Sequence, residues 1–252
     1  MNSGTLLLAD SVEFTFSRQA ILERSCALWG SEIRVHAEHV LDNLPADTCA
    51  FYSEQLKVAY SEALQYTKPS SVVQQAKRLR VDKRSGLLHK FLRIEQSLLM
   101  NEDLLKEIVS TSNTLEKHKQ QLIVSVENTL DTLPGPVERR NMIRQLYSLK
   151  DRSSLKLAYN NYTLDTKKAD LLTDLSLYDY IKMPFPDSAL RLSLNTRSGL
   201  FDRLYDQMLG VMSTSRVSFI AENVEHADSA LLARRLPFDY FQGPYFSPAD
   251  SL

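Results

Sequence analysis

Eight short stretches of the chain mix apolar, β-branched and aromatic residues in strand-like fashion, and amphipathic segments of helical period separate most of them. The strand-like stretches run Val12 to Leu22, Trp29 to Val40, Leu88 to Glu95, Gln121 to Glu127, Ser154 to Asn160, Tyr178 to Met183, Arg216 to Val224 and Phe238 to Phe246. Between them, Leu56, Ala59, Tyr60, Ala63 and Leu64 share one face of a helix expected over Tyr52 to Tyr66. A second helix, Glu102 to Lys117, turns Leu104, Leu105, Ile108, Val109 and Leu115 inward, and a third is marked by Leu200, Phe201, Leu204, Tyr205, Met208, Val211 and Met212. Pro134-Gly135-Pro136 forms a loop ahead of a helix over Val137 to Leu149, and Asp228 is the expected N-cap of a short helix ending near Leu236.

The first two strands break the rhythm. Glu23 to Leu28 is too short for a crossover helix, so the chain must turn back and pair antiparallel. An antiparallel first pair followed by alternating helix and strand predicts an α/β fold: a modified, TIM-like (β/α)8 barrel with an antiparallel first strand. At 252 residues the chain has the length such a barrel takes as a single domain, and it shows no internal repeat or low-complexity tract.

Composition narrows the function classes. With 24% charged residues and a formal net charge of -1, no global basic field favours nucleic acid as a partner. Cys26 and Cys49 are too few for a disulfide framework and lack metal-type spacing, which fits a reducing compartment. The start lacks a basic leader and no long apolar run follows, so a soluble, cytoplasmic protein without membrane contact is expected. His36 and His39 flank Glu38 on one strand at alternate spacing and without a third ligand, which does not make a zinc site. The basic run Lys77-Arg78-Leu-Arg80-Val-Asp-Lys83-Arg84 reads first as a solvated face, and the aromatic tail as core of the last strand. No glycine-rich phosphate loop or nucleophilic triad is present.

Two C-terminal blocks carry a family resemblance. Phe219-Ile-Ala-Glu222-Asn-Val-Glu225 and Phe238-Asp-Tyr-Phe-Gln242-Gly-Pro-Tyr-Phe246 resemble the last two strands of bacterial EAL domains, the cyclic di-GMP phosphodiesterases, which read roughly AEGVE and DYxQGYxF. The resemblance is strong from about Tyr178 onward and weaker before it. It implies the same barrel with an antiparallel first strand. In active members it also implies two hard divalent cations held by carboxylates from several strand ends, activating water against the scissile phosphate.

Carried onto this chain, those positions are largely altered. Glu32 occupies the place of the EAL glutamate in Gly30-Ser31-Glu32-Ile33-Arg34, and His36 stands where a phosphate-contacting arginine is usual. Glu95 takes the place of an asparagine ligand, while Ser125 replaces a glutamate, with Glu127 coming into play if the register slips. Asn160-Asn161 stand for the aspartate pair of ALDDFGTG, and Thr163-Leu164-Asp165 for its glycine-rich loop. Lys182, Glu222 and Gln242 are retained, although the IKID strand here ends in Met183-Pro184.

Asparagine offers a neutral carbonyl oxygen where aspartate offers a charge, so the metal pair should be lost and with it the activated water. These residues are therefore expected as vestigial positions, with no catalytic residue, no bound metal and no cofactor. The leading expectation is a catalytically inactive EAL-like regulator that binds another protein, in the manner of family members that sequester a transcription factor controlling motility or surface attachment. An active phosphodiesterase using Glu32, Glu95, Glu127 and Glu222 with magnesium or manganese is the first alternative. A receptor that binds cyclic di-GMP without cleaving it is the second, and His36 and Pro184 count against it.

Overall fold

The computed structural model describes residues 13–37, 46–68, 88–127, 133, 135–167, 171–172, 176–196 and 198–252. The expected strand ends at Val12 and Val40, with Glu38 and His39, lie outside these residues, as does the basic run around Lys77 to Arg84.

Among the described residues nine strands form one sheet: β1 Phe14–Glu23, β2 Leu28–Ala37, β3 Leu88–Glu95, β4 Gln120–Glu127, β5 Lys156–Tyr159, β6 Tyr180–Pro184, β7 Ser218–Glu222, β8 Tyr240–Phe241 and β9 Asp250–Ser251. Strands β2 to β8 run parallel in chain order, and β1 pairs antiparallel with both β2 and β8, closing an eight-stranded barrel. The tight turn after Glu23 lets β2 return along β1, with Cys26 in the left-handed region at φ 63°. Strand β9 is an addition absent from the sequence reading, paired antiparallel with Ser17 and Arg18 of β1.

Six helices among the described residues pack around the strands: α1 Ala46–Thr67, α2 Glu102–Lys117, α3 Pro136–Arg152, α4 Asp187–Thr196, α5 Leu200–Ser215 and α6 Ala227–Ala233, with a short 3-10 turn at Gln96–Met100. The expected inward face of α1 is buried at all five positions. Helix α2 begins where the Asn101 side chain accepts from the backbone N–H groups of Asp103 and Leu104, at 3.1 and 3.0 Å. Pro136 opens α3, where its missing N–H costs nothing.

Some boundaries differ from expectation. Asp228 lies in the first turn of α6 and His226 is its N-cap. Tyr205, expected on the inward face of α5, is 38% exposed. The last barrel strand holds two residues rather than nine, because Gly243, at φ 152°, turns the chain away directly after Gln242. Phe238 and Phe241 are core as expected, but Tyr245 faces solvent. No helix among the described residues is long and apolar enough to cross a membrane.

The core has two parts. The larger lies between strands and helices. The smaller comprises Ile21, Trp29, Phe91, Ile123, Ala158, Tyr180 and Ile220, with Tyr240 beside it. The rings of Phe91 and Tyr180 lie 5.8 Å apart although β3 and β6 are not neighbours, so this cluster fills the barrel's inside.

Candidate functional site

Side chains two residues apart on a strand share a face. One step beyond the apolar plug, the same strands therefore project Arg93, Ser125, Asn160, Lys182, Glu222 and Gln242 into the barrel toward its C-terminal mouth, the end where barrel sites lie. Strand β2 adds Glu32. The hydrogen bonds confirm the convergence. The Lys182 ammonium contacts Glu32 Oε1 and lies 2.8 Å from Glu222 Oε1, with all three side chains essentially without solvent exposure. Gln242 Nε2 donates to Glu32 Oε2 at 2.9 Å.

Two arginines complete the arrangement. Arg34 donates from Nε to Glu32 Oε2 at 2.7 Å and from Nη2 to Glu222 Oε1 at 3.0 Å. Arg93 reaches Glu222 Oε1 at 3.4 Å and Glu127 Oε1 at 3.1 Å. Three cations thus face three carboxylates. Burial pushes the Glu32 carboxyl up, but Lys182, Arg34 and Arg93 outweigh it and hold the group well below the usual carboxylate range. Burial likewise opposes the charge on Arg34, and Glu32 and Glu222 more than offset that, raising its pKa.

On the opposite side of the ring, Ser125 Oγ donates to Asn160 Oδ1 at 2.7 Å. Asn160 Nδ2 and Gln242 Oε1 are buried with no hydrogen-bond partner among the described residues. Asn161 does not join its neighbour: it is exposed, with φ 57° in the left-handed region that asparagine tolerates. Glu95 is half-buried at the end of β3, two residues past the ring position, and its pKa is raised by burial and by Glu127. The third-strand place in this ring is taken by Arg93, with Glu95 on the same face one step nearer the mouth. Ser125 keeps the fourth-strand place, while Glu127 enters the network from the mouth through Arg93. His36 is exposed near the mouth, bonded to Ser17 Oγ at 2.7 Å. Its pKa is lowered by partial burial and by Arg34 and Arg93.

Arg34 and Arg93 had no role in the sequence reading. The available signal was local: Glu32-x-Arg34 on a strand places opposite charges on one face.

No family model matches the chain, and no curated protein does. Solved structures do. The EAL enzyme Bd1971 in its cGMP-bound form superposes with a TM-score of 0.66 at 14% identity, over 94% of this chain and 62% of that one. The chain has the EAL-domain fold. The EAL-like domain protein YdiV gives 0.59 at 15% identity, over 94% and 92% of the two chains. The Bacillus subtilis YkuI protein, with an EAL domain in complex with cyclic di-GMP and calcium, gives 0.57 at 19%, over 94% and 55%. This chain thus spans about three fifths of Bd1971.

Within an EAL-type barrel, the donor set here does not fit two dications. Among the described residues no group of three or more His, Cys, Asp or Glu side chains is arranged to hold a metal ion. Both oxygens of Glu32 and the inward oxygen of Glu222 already bind protein cations. A unit charge repels another about 4 Å away by about 4 kcal/mol at a surface-like effective dielectric, and a dication doubles that for each guanidinium it meets.

Proposed function

We propose that this chain is a catalytically inactive EAL-type regulator that acts by binding another protein, with a transcription factor or signalling component controlling motility or surface attachment as its target. One observation carries the reading: Lys182, Arg34 and Arg93 neutralise Glu32, Glu222 and Glu127 inside the barrel mouth. A phosphodiesterase needs those carboxylates free to gather metal and activate water. Here they are spent on internal ion pairs, and Asn160 supplies an amide where a charged ligand would serve. The cage also leaves the mouth electrically balanced, which removes the positive field that would draw an anionic nucleotide. The likeness to an EAL-like domain protein over nearly the full length of both chains supports a barrel used as a scaffold.

Incubating the purified protein with cyclic di-GMP and magnesium or manganese tests the claim. Linear dinucleotide should not accumulate beyond a Glu32→Ala control, even after Asn160→Asp and Asn161→Asp are introduced together, because Arg34 and Arg93 remain in place. Product well above that control from the unaltered protein overturns the reading.

A further inference from the structure

We propose that the groove between the middle of α1 and the beginning of β1 is the docking site for a basic, amphipathic segment of a partner protein. The proposal rests on the regulatory reading and gives it a contact surface. The groove encloses about 520 Å³ and is floored by Phe14, Phe16, Val58 and Ala59. Val58 is 64% exposed, a large price in hydration for a helix position that faces no core. Phe14 also meets the Tyr52 ring, tilted at 39° with ring centroids 6.1 Å apart.

The rim is acidic. Glu54 and Glu62 lie one turn before and one turn after Val58, so the three form a single stripe along α1, and Glu13 closes the groove from the β1 side. The ammonium of Lys57, 3.4 Å from Glu54, is the cation that the described residues bring to this rim. Glu62 accepts from the Tyr66 hydroxyl at 3.3 Å and has no ion-pair partner among the described residues. Gln55 also lines the groove and adds a neutral polar side chain between Glu54 and Val58.

An apolar floor with carboxylates on both sides selects a segment whose one face is aliphatic and whose flanks carry lysine or arginine. The residues that precede Glu13 in this chain mix apolar side chains with Asn2, Ser3, Thr5 and Ser11, and their single charged side chain is Asp10, the wrong sign for this rim.

Fluorescence anisotropy on the full chain tests the assignment with two labelled probes, an amphipathic leucine–lysine peptide and its leucine–glutamate counterpart. The lysine peptide should bind, with affinity that falls as salt rises. Glu13→Gln, Glu54→Gln and Glu62→Gln combined should weaken it about tenfold, and Val58→Asp should weaken it independently. Equal binding of both peptides, or an unchanged affinity in the triple variant, overturns the proposal. So does binding that emerges only after residues 1–12 are removed, since the chain itself would then be the occupant. The two readings fail separately. A natural partner retained by the triple variant sinks the groove and leaves the regulatory reading standing, whereas cyclic di-GMP hydrolysis sinks the regulatory reading and leaves the peptide measurement untouched.

Discussion

Lys182 has no solvent exposure and still carries its charge to the centre of the barrel, which is tolerable because Glu32 and Glu222 meet it there. Removing such a partner strands the opposite charges without water. Lys182→Met is therefore expected to cost roughly 3–5 kcal/mol, read from urea denaturation, and a loss below ~1 kcal/mol would show the cage to be energetically idle. At the other end of the barrel His89 lies against the Trp29 ring, centroids 4.1 Å apart, with Tyr240 stacked on the opposite face of the indole at 3.7 Å. Burial depresses the His89 pKa to about 4, with Lys156 adding to the effect and the Trp29 carbonyl opposing it. The folded state thus favours the neutral imidazole. The associated stability is complete above the unfolded value of 6.5 and is lost as pH falls through 4, on the order of 3 kcal/mol in total. Thermal melts at pH 7 and pH 4.5 should show the decline, and His89→Gln should flatten it.

Among the elements, the shortest barrel strand is the most constrained. Gly243 follows β8 so closely that a Cβ on it would sit 2.3 Å from the backbone nitrogen and oxygen of Val224. Gly243→Ala should destabilise the fold by about 1–3 kcal/mol or more, measured by the denaturation midpoint. The core-facing stripes of α1 and α2 were legible because their apolar spacing follows the helical period. Helix α4 was not. Its Leu190, Leu192 and Leu194 recur every second residue, a strand-like signal, yet only Leu190 is buried while the other two are solvent-exposed. The ring positions could be read only where the resemblance supplied them. Arg34 and Arg93 escaped because a cation inside a barrel makes sense through its partner, and Arg34 meets Glu222 188 residues along the chain. Glu95 was placed by its resemblance to the family's asparagine position, and alternation from Phe91 puts Arg93 and Glu95 on the same face, the arginine one step deeper.

At the scale of the molecule, the barrel is stratified. An aromatic plug seals one end and an ion-pair cage the other, so the interior is committed to holding the strands together. On the regulatory reading proposed above, partner recognition would fall to the outside, where the acidic groove of α1 and β1 lies. The alternation of strand and helix announced this architecture, including the reversed first strand, but not how the barrel is finished. Strand β8 reaches β1 only at Leu22 and Glu23, and the chain's last residues return to pair with Ser17 and Arg18 further along. Leu252 adds a bond from its N–H to the Phe16 carbonyl at 3.0 Å. Asp250 to Leu252 therefore act as a stopper in an open seam. Without them, a stretch of β1 would offer bare backbone donors and acceptors to whatever strand came near, and the nearest in a concentrated solution would be the same stretch of another copy.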